Sequence, residues 1–245
     1  MTTRAQWRSS RLHFYDDVSL NLSEPVAPIV FEEDFFGASL VIPDHAAPES
    51  GCPWVSEIVG AGPPTTAIIQ NGANGICECA LEATPEAQSA EVYMNDQRQY
   101  SVVNHTAIGV YARLTVLPTL LAEIGWGMFG DLAAGYDNIT FGGFFTADGS
   151  GAINCHTDDN VTPTEAASGV TVLATDWHAY HIDFADPTDV HFYIDGVRVA
   201  AATTFPYAAT AGDAVLQPLF GGYKSGGAGV GTIKVDQFVI WSNRS

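Results

Sequence analysis

Residues 177–184 read Trp-His-Ala-Tyr-His-Ile-Asp-Phe, and residues 190–199 read Val-His-Phe-Tyr-Ile-Asp-Gly-Val-Arg-Val, with a polar turn over 185–189 between them. Tyr180, Ile182 and Phe184 alternate with polar neighbours, and Val190, Phe192 and Ile194 do the same, which is the period of half-buried strands. The pair Asp195-Gly196 closes a two-residue hairpin, because both central positions of a primed turn need positive φ, which Asp tolerates and Gly adopts freely. Three consecutive antiparallel strands follow, and the fold class is all-β.

The same punctuation runs through the rest of the chain. A short strand starts at Ile29 and runs into the acidic turn of Ile-Val-Phe-Glu-Glu-Asp-Phe-Phe-Gly, and further short runs at 75–83, 100–103, 109–117, 123–129, 139–145, 151–156, 170–174 and 232–241 are separated by Gly, Pro, Asn and Asp. About a dozen strands at such spacing predict a two-sheet antiparallel sandwich. No stretch has helical periodicity: 117–124 carries Pro118, and 84–90 offers a turn of helix at most. No internal repeat is present.

A chain of 245 residues with no charged or Ser/Pro-rich linker over 29–245 reads as one β domain, preceded by an extended arm at 1–28. With 47% hydrophobic residues it can bury a sizeable core, which excludes wholesale disorder. Nine Lys+Arg against 28 Asp+Glu give a net charge of -19, and such a surface repels phosphate backbones, so nucleic acid is excluded as a partner. The first residues lack the apolar core of an export signal, and no 18-residue apolar run follows, so a soluble, unexported protein without a membrane contact is expected. Cys52, Cys77, Cys79 and Cys155 are too few for a disulfide framework and read as reduced, buried side chains, with Cys77 and Cys79 on one face of a strand.

The arm departs in composition from the body. Arg4, Arg8 and Arg11 are three of the nine basic residues, and Trp7, Phe14 and Tyr15 stand among them. A frayed terminus has this look, and so does an anchor whose aromatics supply buried area and whose arginines supply bidentate contacts to an acidic partner.

Three segments resemble the concanavalin A-like lectin/glucanase family, whose jelly-roll sandwich also carries laminin-G-like modules and laminarinase-type glycosidases. They are Phe31-Glu32-Glu33-Asp34-Phe35, then Trp177-His178-Ala179-Tyr180 with Phe192-Tyr193-Ile194-Asp195-Gly196, and Val235-Asp236-Gln237-Phe238-Val239. The resemblance implies that the first and last strands lie side by side. It also implies calcium as a cofactor between the acidic turn and the last strand, with Glu33, Asp34 and Asp236 in the matching places.

The same resemblance frames catalysis. Laminarinase-like enzymes carry Glu-x-Asp-x-x-Glu on one strand, because retaining hydrolysis needs two carboxyls about 5 Å apart. The strand expected at that site, 109–116, carries no carboxylate. Alginate lyases of the family use Arg-x-Glu-x-Arg, Gln-Ile-His and a paired Tyr and Lys; only Arg113 and Tyr223-Lys224 correspond. His13, His45, His105, His156, His178, His181 and His191 form no zinc-ligand spacing, although His178 and His191 are expected across neighbouring strands. Gly-rich 221–231 lacks a Gly-Lys-Ser/Thr ending and reads as a flexible hairpin loop. The sequence therefore predicts no catalytic residues and no enzyme.

Binding remains open on this reading. Trp126 and Tyr136 flank the place where the family stacks pyranose rings, and are the candidate glycan platform. In style, an acidic sandwich with a basic arm and no export signal looks like a virion protein of tailed bacteriophages. The expected function is thus a noncatalytic capsid decoration or head-fibre protein. It would assemble in the host cytoplasm, be anchored to a major capsid protein through the arm, and form a homo-oligomer on a capsid axis. The alternatives are a module recognising surface glycans and a polysaccharide hydrolase or lyase with a displaced site.

Overall fold

The computed structural model describes residues 3–8, 11–16, 29–35, 42–49, 52–62, 64–68, 75–208, 212 and 214–243. The strands in chain order are β1 (Thr3–Arg8), β2 (Arg11–Asp16), β3 (Ile29–Glu33), β4 (Val55–Val59), β5 (Thr65–Ile68), β6 (Cys77–Leu81), β7 (Gln88–Tyr93), β8 (Tyr100–Ser101) and β9 (Ala107–Val116). They continue as β10 (Ala122–Phe129), β11 (Phe141–Ala147), β12 (Ala152–Asp159), β13 (Thr164–Thr171), β14 (His178–Asp183), β15 (His191–Ile194), β16 (Val197–Val199), β17 (Val215–Lys224) and β18 (Gly231–Ser242). Two short 3₁₀ turns, Val102–Asn104 and Tyr136–Asn138, are the only helical elements among the described residues. None is long or apolar enough to cross a membrane.

Two antiparallel sheets face each other as a jelly-roll sandwich. Sheet I runs β13-β12-β11-β10-β17-β7-β4, with β8 also on β17; sheet II runs β16-β15-β14-β9-β18-β6-β5, with β3 on β18. β3 and β18 therefore lie side by side, as the family resemblance implied. Asp195 and Gly196 both have positive φ, 51° and 78°, so the β15–β16 hairpin closes through the primed turn that the sequence called for.

Between the sheets lie Trp54, Trp126, Phe145, Tyr180, Phe192 and Phe220, all at most 1% exposed. Each such aromatic contributes roughly 1.5–3 kcal/mol by leaving water. Trp126 meets Tyr180 edge-on at 4.7 Å and stacks along Phe145 at 6.0 Å. Cys77 and Cys79 share the inner face of β6, and all four cysteines are free thiols. Burial pushes the Cys155 thiol up to about 12, which keeps it unreactive.

Several expectations shift. β7 occupies the end of the segment read as a turn of helix, and β17 includes the first residues of the stretch read as a glycine-rich loop. β13 starts ahead of the run expected at 170–174. His191 stands opposite Asp183, not His178, which lies at the far end of β14 and bonds Asp195 at 2.7 Å. Within 1–28, β1 and β2 pair with each other as a hairpin, Arg4 opposite Tyr15 and Arg8 opposite Arg11, so the described part of the arm is a two-stranded ribbon. Arg4, Trp7 and Arg8 fall on β1, and Arg11, Phe14 and Tyr15 on β2; the rest of 1–28 lies outside the described residues.

Candidate functional site

The outer face of sheet I carries a transverse row set by strand register. Glu57 on β4 pairs with Glu91 on β7, Glu91 with Gly221 on β17, Gly221 with Gly125 on β10, and Gly125 with Thr146 on β11. Two carboxyl groups thus stand at one end of a row whose centre has no side chains. Directly opposed positions on neighbouring antiparallel strands place Cβ atoms about 5 Å apart.

Glu91 is 2% exposed. The Ser89 hydroxyl donates a short hydrogen bond to Glu91 Oε2, and the Tyr136 hydroxyl lies beside the carboxyl without completing a bond of good geometry. Burial raises the Glu91 pKa from 4.5 to about 8; Ser89 and Tyr136 relieve part of this, and the charges of Glu57 and Glu123 add to it. Glu91 is therefore a neutral acid at pH 7. Burial also raises Glu57, but His45 Nδ1 lies 2.6 Å from Glu57 Oε2 and pulls the other way. One carboxyl keeps its proton while its neighbour is paired with a base, an asymmetry that assigns acid and base roles in carboxylate chemistry.

Residues 130–140 cross this face. The Tyr136 ring rests on Gly125, where an added Cβ would come within 2.9 Å of ring carbons, and the Tyr136 backbone N–H donates to Glu123 Oε2 at 3.0 Å. Tyr136 and Ile139 pack with Phe129, Phe144, Leu219 and Val55 in a small apolar cluster outside the main core. Two recesses flank the crossing. One, of about 340 Å³, is lined by Glu57, Ser89, Glu91, Tyr223 and the 132–134 backbone segment. The other, of about 290 Å³, is lined by Tyr136, Asp137, His156, Asp158 and Glu165. No Lys or Arg lines either.

The sequence-predicted residues fall elsewhere or differently. Trp126 has no exposed surface and belongs to the core between the sheets, so no sugar ring can stack on it. Tyr136 reaches the outer face but is 3% exposed, its ring spent on Gly125 and the apolar cluster. Asp34 and Asp236 approach each other: burial, then the Asp34 charge, raises Asp236 to about 6. Glu33 does not join them, because its carboxylate accepts from Phe35 N–H at 2.8 Å and from Trp54 Nε1 at 3.3 Å. Among the described residues no group of three or more His, Cys, Asp or Glu is arranged to hold a metal. Arg113 lies over the Trp177 ring at 4.7 Å in sheet II, and Lys224 is fully buried, whereas Tyr223 beside it lines the first recess.

Strand 109–116, searched for carboxylates in the sequence, is part of β9 and sits in sheet II, on the far side of the sandwich from the recesses. The residues missed were Glu57 and Glu91. The signal existed: Ser89, Glu91 and Tyr93 alternate with Ala90, Val92 and Met94, a strand period that starts at the end of the 84–90 segment read as a turn of helix and continues past it.

No protein-family model matches the chain, and no curated protein matches it in sequence. Solved structures share its fold. The Bacteroides ovatus mixed linkage glucan GH16, solved in complex with product, aligns with a TM-score of 0.54 at 14% identity, covering 86% of this chain and 99% of that one. A β-1,3-glucanase from Mycobacterium marinum aligns with a TM-score of 0.52 at 15% identity, covering 89% and 100%. An alginate lyase of polysaccharide lyase family 7 aligns with a TM-score of 0.53 at 13% identity, covering 74% and 86%. The sandwich is thus of the concanavalin A-like kind. The expectation of a protein without enzymatic activity is overturned by these neighbours, which are enzymes, and it rested on a strand that the fold assigns to the wrong sheet.

Proposed function

We propose that the protein cleaves glycosidic bonds of a neutral glycan in the recess beside Glu91 and Glu57. The observation that carries this reading is the register pairing of the two carboxyls on one outer face, one neutral at pH 7 and one held against His45. Opposed register puts their Cβ atoms about 5 Å apart, from which the two side chains can reach the retaining arrangement, in which an acid protonates the leaving oxygen and a carboxylate about 5 Å away attacks the anomeric carbon. Glu91 is the acid and Glu57 the nucleophile. Tyr223 supplies the aromatic face on which a sugar ring stacks. The absence of Lys and Arg from the lining, together with the -19 net charge, disfavours a polyanion such as alginate and favours an uncharged sugar.

Release of reducing ends from a panel of neutral β-glucans, with alginate alongside, tests the reading. Wild-type protein should release ends from a neutral member, and Glu91→Gln should lose about 10²-fold or more of that rate. Flat traces on every neutral glycan, or unchanged rates in Glu91→Gln, would overturn it.

Where the protein acts is a separate matter. β1 and β2 form a sheet of their own and carry Arg4, Arg8 and Arg11, which suits attachment to an acidic surface such as a virion shell. Deleting residues 1–28 should abolish co-sedimentation with particles and leave glycan cleavage intact; retained co-sedimentation would sink the attachment idea.

A further inference from the structure

Residues 130–140 are built into the face they cross. Gln217, fully buried, donates from Nε2 to Gly130 O at 2.7 Å and to Asp96 Oδ1 at 2.8 Å, and Asp96 Oδ1 also accepts from Leu132 N–H at 2.9 Å. Arg98 Nε pairs with Asp131 Oδ1 at 3.3 Å, and the Arg98 guanidinium lies over the Phe141 ring at 5.1 Å. At the middle, Glu123 holds the Tyr136 N–H, while Gly135, at φ +93°, lies against the Tyr223 ring. At the far end Ile139 is buried with Phe129 and Phe144. A segment pinned at both ends and at its centre, on a site made glycine to receive it, is a wall rather than a lid.

We propose that this wall divides the outer face of sheet I, so that the recess at Glu57 and Glu91 accepts the end of a glycan chain or a short oligosaccharide and excludes the interior of a long chain. The inference rests on the glycan reading above and adds the substrate form. The 132–134 segment closes the Glu91 recess on the side where Tyr136 begins the second one, so a polymer cannot run straight from one recess to the other. At about 340 Å³ the first recess is at the small end of ligand sites, room for a terminal unit rather than a run of them.

Two measurements separate this inference from the reading beneath it. In the first, the viscosity of a soluble β-1,3-glucan is followed against reducing ends released. Wild-type protein should release ends with almost no early loss of viscosity, whereas Tyr136→Ala combined with Asp131→Ala, checked for intact circular dichroism, should lower viscosity with the first bonds cut. An early viscosity drop with wild-type protein overturns the wall and leaves Glu91 and Glu57 standing. In the second, the Glu91→Gln variant is titrated with β-1,3-gluco-oligosaccharides of increasing length. Affinity should stop rising once the recess is filled; affinity that keeps climbing with length overturns the wall whether or not any bond is cleaved.

Discussion

Glu91 on β7 stands opposite Glu57 on β4, on the outer face of sheet I, and the same register that pairs their strands puts both carboxyls in one recess. Neither residue is unusual alone. Their difference comes from what covers them: Ser89 and Tyr136 seal Glu91 away from water, while His45 attends Glu57. Desolvation raises both groups, and the base beside Glu57 offsets part of its rise, so that Glu91 is the carboxyl that holds its proton at pH 7.

The pH dependence of stability follows from Glu91. Its pKa is 4.5 when exposed and about 8 when folded, so between those values the folded protein holds a proton that the unfolded chain has released. Stability therefore falls as pH rises from about 4.5 to 8 and levels off above, by a few kcal/mol at most. Urea unfolding at pH 5 and pH 8 should show this loss in wild type and much less of it in Glu91→Gln; equal slopes in both proteins would exclude it.

Histidines act with the opposite sign on the acid side. Burial lowers His156 to about 4 and His181 to about 3, so below pH 6.5 the unfolded chain binds protons that the folded protein refuses. That contribution is present above 6.5 and lost as pH falls toward 3. His181→Phe, which keeps a ring to stack on Tyr193, should shift the acid unfolding midpoint to lower pH. An unmoved midpoint would show that His181 does not titrate with unfolding.

Lys224 ties two loops together. Its buried ammonium donates to the carbonyls of Glu82, Thr84 and Gly229, the last two at 2.8 and 3.0 Å. Lys224→Met keeps the stem and leaves those acceptors unpaired, and should destabilise by about 3 kcal/mol in chemical denaturation. A loss well under 1 kcal/mol would mean that water replaces the ammonium.

Gly125 and Tyr136 are coupled through the close approach of backbone and ring. Gly125→Ala should destabilise by about 1–3 kcal/mol by overpacking, and the loss should shrink when Tyr136→Ala is present. Additive losses in the double mutant would place the Tyr136 ring elsewhere.

The sequence made some of this legible and hid the rest for physical reasons. Strands β14 and β15 were readable because Tyr180, Ile182 and Phe192 alternate with polar residues in the sequence, even though β14 is buried on both faces and only β15 buries one, and because Asp195-Gly196 admits one kind of turn. β17 is buried on both faces along most of its length and carries Pro218, Gly221 and Gly222, which removes both alternation and strand propensity. β7 is buried on both faces, yet Ser89, Glu91 and Tyr93 alternate with Ala90, Val92 and Met94, so the strand was legible and the burial of its polar Ser89 and Glu91 was not. The carboxyl pair was hidden for a different reason. It arises from register between two strands distant in sequence, and a search for acids spaced along one strand cannot find it. The core position of Trp126 was likewise invisible, since an alternating strand does not say which of its faces looks inward.

Retaining chemistry at Glu91 and Glu57 is tested most directly by proton NMR of the first anomer released from a reduced-end β-1,3-gluco-oligosaccharide. Two carboxyls on opposed positions of neighbouring strands should give the β-anomer first, with the α-anomer appearing only by mutarotation. An α-anomer formed first, or no product at all, would contradict the assignment of these two residues.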